Sequence, residues 1–259
     1  MQSLEEKRVF GEKTGKTVVL AATDVGVAAV SIAGAQVGQT ELLVQCAARD
    51  VAANDEQVAV ATEEDVLVHD GEEFVETGFG PATAVEFNDG VLLAGGPAGT
   101  LARYATDWSA ITSLSGRVNA ISGNLVATDD GVCQVTTADC IEAGLESVRD
   151  VSTAGTPHAA TADGLYYLGN GWMEALDGDF TMVSTAEDGR AHAATADEFY
   201  ASDDEWGAVS LPVSGQVADA AYDAATYAAT VDGTFLADAG EGYRTHPLGL
   251  RDVHALCVL

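Results

Sequence analysis

From Thr17 to the end, the chain is built of short apolar runs broken by Gly, Asp and Asn, and no stretch sustains a 3.6-residue period with caps. The runs recur around one phrase, a small apolar stretch leading into Ala-Thr, then an Asp-Gly-type turn, then a second apolar stretch. It reads Ala22-Thr23-Asp24-Val25-Gly26-Val27, Ala61-Thr62-Glu63-Glu64-Asp65-Val66, Ala127-Thr128-Asp129-Asp130-Gly131-Val132 and Ala160-Thr161-Ala162-Asp163-Gly164-Leu165. Further copies are Ala194-Thr195-Ala196-Asp197-Glu198-Phe199, Ala229-Thr230-Val231-Asp232-Gly233-Thr234 and a degenerate Ala94-Gly95-Gly96-Pro97. The anchor positions 23, 62, 95, 128, 161, 195 and 230 are separated by 39, 33, 33, 33, 34 and 35 residues.

Such periods belong to solenoids, arrays or propellers. Asp-Gly between alternating apolar residues is a hairpin signal. A further strand-like piece precedes most anchors, as in Val51-Ala52-Ala53, Val118-Asn119-Ala120-Ile121 and Val151-Ser152-Thr153-Ala154. A large apolar side chain follows each anchor at Val37, Phe74, Trp108, Ile141, Trp172, Trp206 and Tyr243. Each unit therefore holds four short strands, and seven such units predict an all-β, seven-bladed β-propeller over residues 17–259. Leucine ladders and helices, which the other solenoids need, are absent from the pattern. The first unit lacks its inner strand, whereas Val253-His254-Ala255-Leu256-Cys257-Val258 reads as an inner strand with no unit after it. The expectation is that this C-terminal strand completes the first blade and seals the ring.

Charge narrows the setting. The chain has 41 Asp+Glu against 11 Lys+Arg, a formal charge of −30, yet it is 47% hydrophobic. That apolar content excludes an acidic disordered tail, and the acids are spread rather than blocked. So few cations make direct nucleic-acid binding unexpected. An acidic, lysine-poor, Ala/Gly-rich chain reads as a cytoplasmic protein adapted to high salt, where a Debye length of about 3 Å screens self-repulsion. The N-terminus carries no apolar signal segment, and the apolar window 17–38 reads as strands rather than a spanning helix. Cys46, Cys133, Cys140 and Cys257 show no zinc-ligand spacing, so the expectation is free thiols, no metal and no cofactor.

The Ala-Thr-Asp-Asp-Gly-Val phrase resembles seven-bladed propellers related to the Asp-box and photosystem-assembly kinds. With the acidic composition, the whole chain resembles a haloarchaeal β-propeller family of unknown function. That resemblance implies the fold and carries no activity. Ser202-Asp203-Asp204-Glu205-Trp206 only partly follows an Asp-box, lacking its Gly and Thr, so no sialidase-like role is implied.

Candidate chemistry is sparse. No nucleophile elbow, zinc-protease pair or dinucleotide fingerprint is present, and no catalytic residue is proposed. Gly11-Glu12-Lys13-Thr14-Gly15-Lys16-Thr17 is one residue short of a phosphate loop and leads into a strand. His158 and His192 each precede an anchor by three residues, as strand positions do, and Trp108, Trp172 and Trp206 recur as packing positions. The remaining recurrence is Arg49-Asp50-Val51, Arg149-Asp150-Val151 and Arg251-Asp252-Val253, with Arg117 before Val118. In a propeller these would ring one mouth of the channel. Either each Arg ties down a neighbouring carboxylate, or together they bind an anion. A second candidate is an N-terminal arm, residues 1–16, with Lys7, Arg8, Lys13 and Lys16 available to a partner. The functional expectation is a monomeric, non-enzymatic scaffold that binds a protein through one face. The alternatives are an enzyme or small-anion binder at the arginine mouth, and a ribonucleoprotein-associated factor.

Overall fold

The computed structural model describes residues 16–69, 71–136, 139–203 and 205–259. Among them there are seven four-stranded antiparallel sheets and no helix. The first strands of the sheets touch one another in sequence around a central axis, so each sheet is a blade standing radially. Blade 1 is closed by the C-terminal strand Val253–Val258, which pairs antiparallel with Thr17–Thr23. Blades 2 to 7 open with the inner strands Ala48–Ala53, Ala84–Asn88, Val118–Ser122, Val148–Ser152, Phe180–Thr185 and Val217–Tyr222. The seven-bladed ring and its seal by the C-terminal strand are as the repeat predicts.

The repeated phrase has a physical reason. The second strand of each blade ends at the anchor threonine, which is buried in five of the seven copies. Its hydroxyl donates across the turn, Thr128 Oγ1 to the Gly131 carbonyl at 2.9 Å and Thr161 Oγ1 to the Gly164 carbonyl at 2.9 Å. The same oxygen accepts a turn N–H, from Gly131 at 3.1 Å and from Gly164 at 3.0 Å. The hydroxyl thus ties both turn groups to the strand end, two bonds that an alanine would lose. Ala residues beside it suit the crowding near the axis. In the degenerate blade, Ala84 pairs with Gly95 and Val85 with Ala94, whereas Asp50 pairs with Ala61 and Val51 with Val60. The place of the threonine is therefore taken by Gly96, one residue beyond the anchor counted from the sequence.

The hydrophobic core is divided into seven clusters, one in each gap between adjacent blades. The tryptophans belong to these gaps. Trp108 of blade 3 donates its indole N–H to Thr77 Oγ1 of blade 2 at 3.0 Å, and Trp172 of blade 5 donates to the Ala143 carbonyl of blade 4 at 2.8 Å.

The expectation of four free thiols is corrected in part. Cys133 and Cys140 form a disulfide, while Cys46 and Cys257 are free. The two cysteines stand on paired neighbouring strands, Gly131–Val135 and Cys140–Glu142, with Cα atoms 5.7 Å apart, inside the bonding range. Sequence spacing alone does not show that a hairpin folds between them. No helix among the described residues is long and apolar enough to cross a membrane.

Candidate functional site

The inner strands line a channel of about 690 Å3. Six of the seven begin with a bulge, in which one residue is skipped by the pairing. The skipped residues are Arg49, Asn119, Arg149, Thr181, Ala218 and His254. A bulge re-aims a side chain and adds local twist, and here it turns the next residue toward the neighbouring blade. Three of those next residues are aspartates. Asp50 accepts the N–H of Val51 at 2.8 Å and, from blade 3, that of Val85 at 2.9 Å. Asp150 accepts from Val151 and, in blade 6, Val183, both at 2.8 Å. Asp219 accepts from Ala220 at 2.7 Å, from the Ser184 hydroxyl at 2.8 Å and from Leu256 N–H of the closing strand at 2.7 Å. Each aspartate is thus a clasp between consecutive blades, and Asp219 fastens the ring seal.

Burial makes these carboxylates reluctant to ionise. It pushes Asp50 and Asp219 up to about 6. Asp150 stands well above the usual range, from burial and then the charge of Asp219. Glu86, beside them on the channel wall, is pushed up to about 7, mainly by burial and also by Asp50. Burial, followed by the charge of Arg190, pushes His192 down to about 4. His192 is stacked on Phe199 at 5.1 Å and held between the Tyr222 and Tyr243 hydroxyls at 2.9 and 3.2 Å. Tyr222 gives its own proton to the Ser184 carbonyl, so His192 Nδ1–H donates to the Tyr222 oxygen and Nε2 accepts from Tyr243.

The four arginines do not converge. Arg49 and Arg149 line the channel, whereas Arg117 and Arg251 do not. Pairing explains the split. Val118 and Val253 pair with the anchor threonines Thr128 and Thr23, as Ala48 and Val148 pair with Thr62 and Thr161. Arg117 and Arg251 therefore precede their strands, and Arg251-Asp252-Val253 lies three residues out of phase with Arg149-Asp150-Val151. Asp252 is exposed at a positive φ of 54° and takes no clasp position. At the bulge of blade 1 stands His254 instead. Arg49 is ion-paired to Asp24 and Glu63, and its Nη1 lies 2.7 Å from His254 Nε2. His254 in turn sits 2.8 Å from Asp24, and its hydrogen bond, with that of Arg49, holds Asp24 below the usual carboxylate range. Arg149 is ion-paired to Asp179 and donates to the Phe180 carbonyl at 3.2 Å. The Arg117 and Arg251 side chains are exposed and in no ion pair among the described residues.

The face on which inner strands begin, the upper face, thus carries Arg49 and Arg149 at the channel, both neutralised, and Arg117 and Arg251 away from it, both open. Lys7, Arg8 and Lys13 of the arm lie outside the described residues. Lys16, exposed, leads into Thr17, whose hydroxyl donates to Asp223 at 2.6 Å on the opposite, lower face. Asp219 and Glu86 were not singled out by the sequence. Asp219 precedes its anchor by 11 residues, as Asp150 does, and Asp50 precedes its own by 12. Glu86 has no such signal. Among the described residues, no group of three or more His, Cys, Asp or Glu side chains could hold a metal ion.

A family model described as Beta-prop_HVO_0234:-like, beta propeller matches residues 3–259. No curated protein matches the sequence. Among solved structures, the WD40 β-propeller domain of Doa1 is similar at a TM-score of 0.65 and 12% identity, covering 90% of this chain and 89% of that one. The computationally designed Ika8 protein is similar at 0.64 and 16% identity, covering 92% and 86%. The extracellular domain of BT4673 from B. thetaiotaomicron aligns at 0.58 and 14% identity, and the chain spans only 38% of its length. At such identities these likenesses concern the fold alone.

Proposed function

Since the chain belongs to the HVO_0234-like β-propeller family, a membership that carries a fold and no chemistry, we propose that it is a non-enzymatic, cytoplasmic interaction scaffold that docks a protein through its upper face. One observation carries this reading: Arg117 and Arg251 stand exposed and without ion pairs there, on a molecule of charge −30. An acidic partner meets repulsion over most of such a surface and attraction where guanidinium groups are open. On blade 1 Val25, at the tip of its turn, is 52% exposed and offers an apolar contact. The small-anion alternative has less support, because the arginines that reach the channel, Arg49, Arg149 and Arg190, are spent on Asp24, Glu63, Asp179 and Asp188.

The test is recovery of partners from native lysate at molar salt, comparing the wild-type chain with R117E/R251E. The wild type is expected to retain a stoichiometric protein that the variant loses, with circular dichroism and Tm unchanged. Equal recovery by both, or none by the wild type, overturns the reading.

A further inference from the structure

On the lower face, where inner strands end, a second pocket of about 600 Å3 opens between blades 5 and 6, sharing Ala154, Thr185, Ala186 and Arg190 with the end of the channel. Its residues lie on the connections and strand ends of these two blades, away from the open arginines. We propose that this pocket binds an organic cation, an ammonium or guanidinium group carried by a small molecule or by a peptide side chain.

The walls are aromatic. His158 sits between Trp206, at 5.6 Å in an edge-to-face arrangement, and Tyr167, at 6.3 Å. Trp206 and Tyr167 are half-buried, so part of each ring faces the pocket. His158 Nδ1 donates to the Thr156 carbonyl at 2.8 Å, which fixes the tautomer and leaves Nε2 as an acceptor. Burial also lowers the pKa of this imidazole and so disfavours a positive charge on it. Two carboxylates, Glu174 and Glu205, line the same pocket, are exposed, and have no partner among the described residues.

The one cation on the lining is turned away. Arg190 holds Asp188 at 2.8 Å, donates to the Asp223 carbonyl at 2.7 Å and to Thr226 Oγ1 at 3.3 Å, and lies over the Tyr222 ring at 5.2 Å. Its guanidinium is thus neutralised by Asp188 and directed to blade 7. What remains toward the pocket is π-faces, an imidazole acceptor and two uncompensated carboxylates. Aromatic faces attract cations through their quadrupole, and carboxylates add direct attraction. A pocket of this size holds a small ligand with a few convergent polar groups. An anion would meet repulsion here, and a neutral apolar ligand would leave both carboxylates unused.

Fluorotryptophan labelling and fluorine NMR test the assignment, in potassium chloride at which the chain is folded. Three resonances are expected, that of Trp206 identified by W206F. Tetramethylammonium, N-acetylarginine amide and neutral tert-butanol are titrated separately. A saturable shift confined to Trp206 is expected with one or both cations, and roughly tenfold weaker binding in E174Q/E205Q. Response to the amide alone assigns a peptide side chain, and response to tetramethylammonium assigns a small organic cation. An equal response to tert-butanol, no saturable Trp206 shift, or unaltered affinity in E174Q/E205Q overturns the proposal. Because the variants lie on the opposite face from Arg117 and Arg251, failure here leaves the scaffold reading standing, and the reverse.

Discussion

Asp219 receives three hydrogen bonds, from its own strand, from blade 6 and from the closing strand. Glu86 is the contrasting case. It accepts only a long bond, 3.3 Å, from Gly123 N–H, and its burial raises it from 4.5 to about 7. A carboxyl raised in the folded state stabilises that state below its unfolded pKa, and the contribution is lost as pH climbs through the folded value. The window is thus about pH 4.5 to 7. Glutamine at this position keeps the acceptor and never ionises. E86Q is therefore expected to match wild type in Tm near pH 4.5 and to exceed it by several degrees near pH 8, a difference of a few kcal/mol at most. Parallel melting curves across that range check it, and a constant offset between the two proteins would show that Glu86 is not held neutral by burial.

At the level of elements, the connections decide register. The turn glycine Gly233 has φ of +90°, and an added Cβ would lie 1.6 Å from the Leu250 carbonyl oxygen. Gly249, at φ +73°, faces open space. G249A is expected to cost about 1 kcal/mol for the left-handed backbone alone, and G233A about 3 kcal/mol or more because backbone must shift. Chemical denaturation of both distinguishes close approach from mere conformation, and equal losses would refute the distinction. The strand pattern and the seal were legible because the Ala-Thr-turn phrase repeats with its hydrogen-bonding job. The phase of the arginines was not. In blade 4 the inner and second strands are joined through Gly123 and Asn124 alone, whereas in blade 5 residues 153–157 intervene. Counting between motifs therefore cannot register Arg117 with Arg149. For Arg251 no later anchor exists to count from. The pocket beside Trp206 was illegible for a related reason, since Tyr167, Glu174 and Trp206 come from three strands of two blades.

Across the whole molecule, seven interblade clusters hold together a surface that repels itself. The accessible area of 12777 Å2 shared among 30 net charges puts neighbouring net charges on the order of 20 Å apart. A Debye length of about 30 Å at 0.01 M leaves them in contact electrostatically, while about 8 Å at 0.15 M already separates them. Screening therefore acts mainly below about 0.2 M, and any rise in stability beyond it must come from strengthened burial of the Ala- and Val-rich gaps rather than from charge. Tm at pH 7.5 is expected to climb steeply with potassium chloride up to roughly 0.2 M and then slowly into the molar range. Near pH 4, where most carboxylates are protonated, the steep part should vanish and the slow part persist. If the steep part survives at pH 4, repulsion between carboxylates is not what destabilises the ring in dilute buffer. If the curve at pH 7.5 rises only above about 1 M, the dominant effect of salt is on apolar burial between blades, and the charge of −30 serves hydration rather than stability.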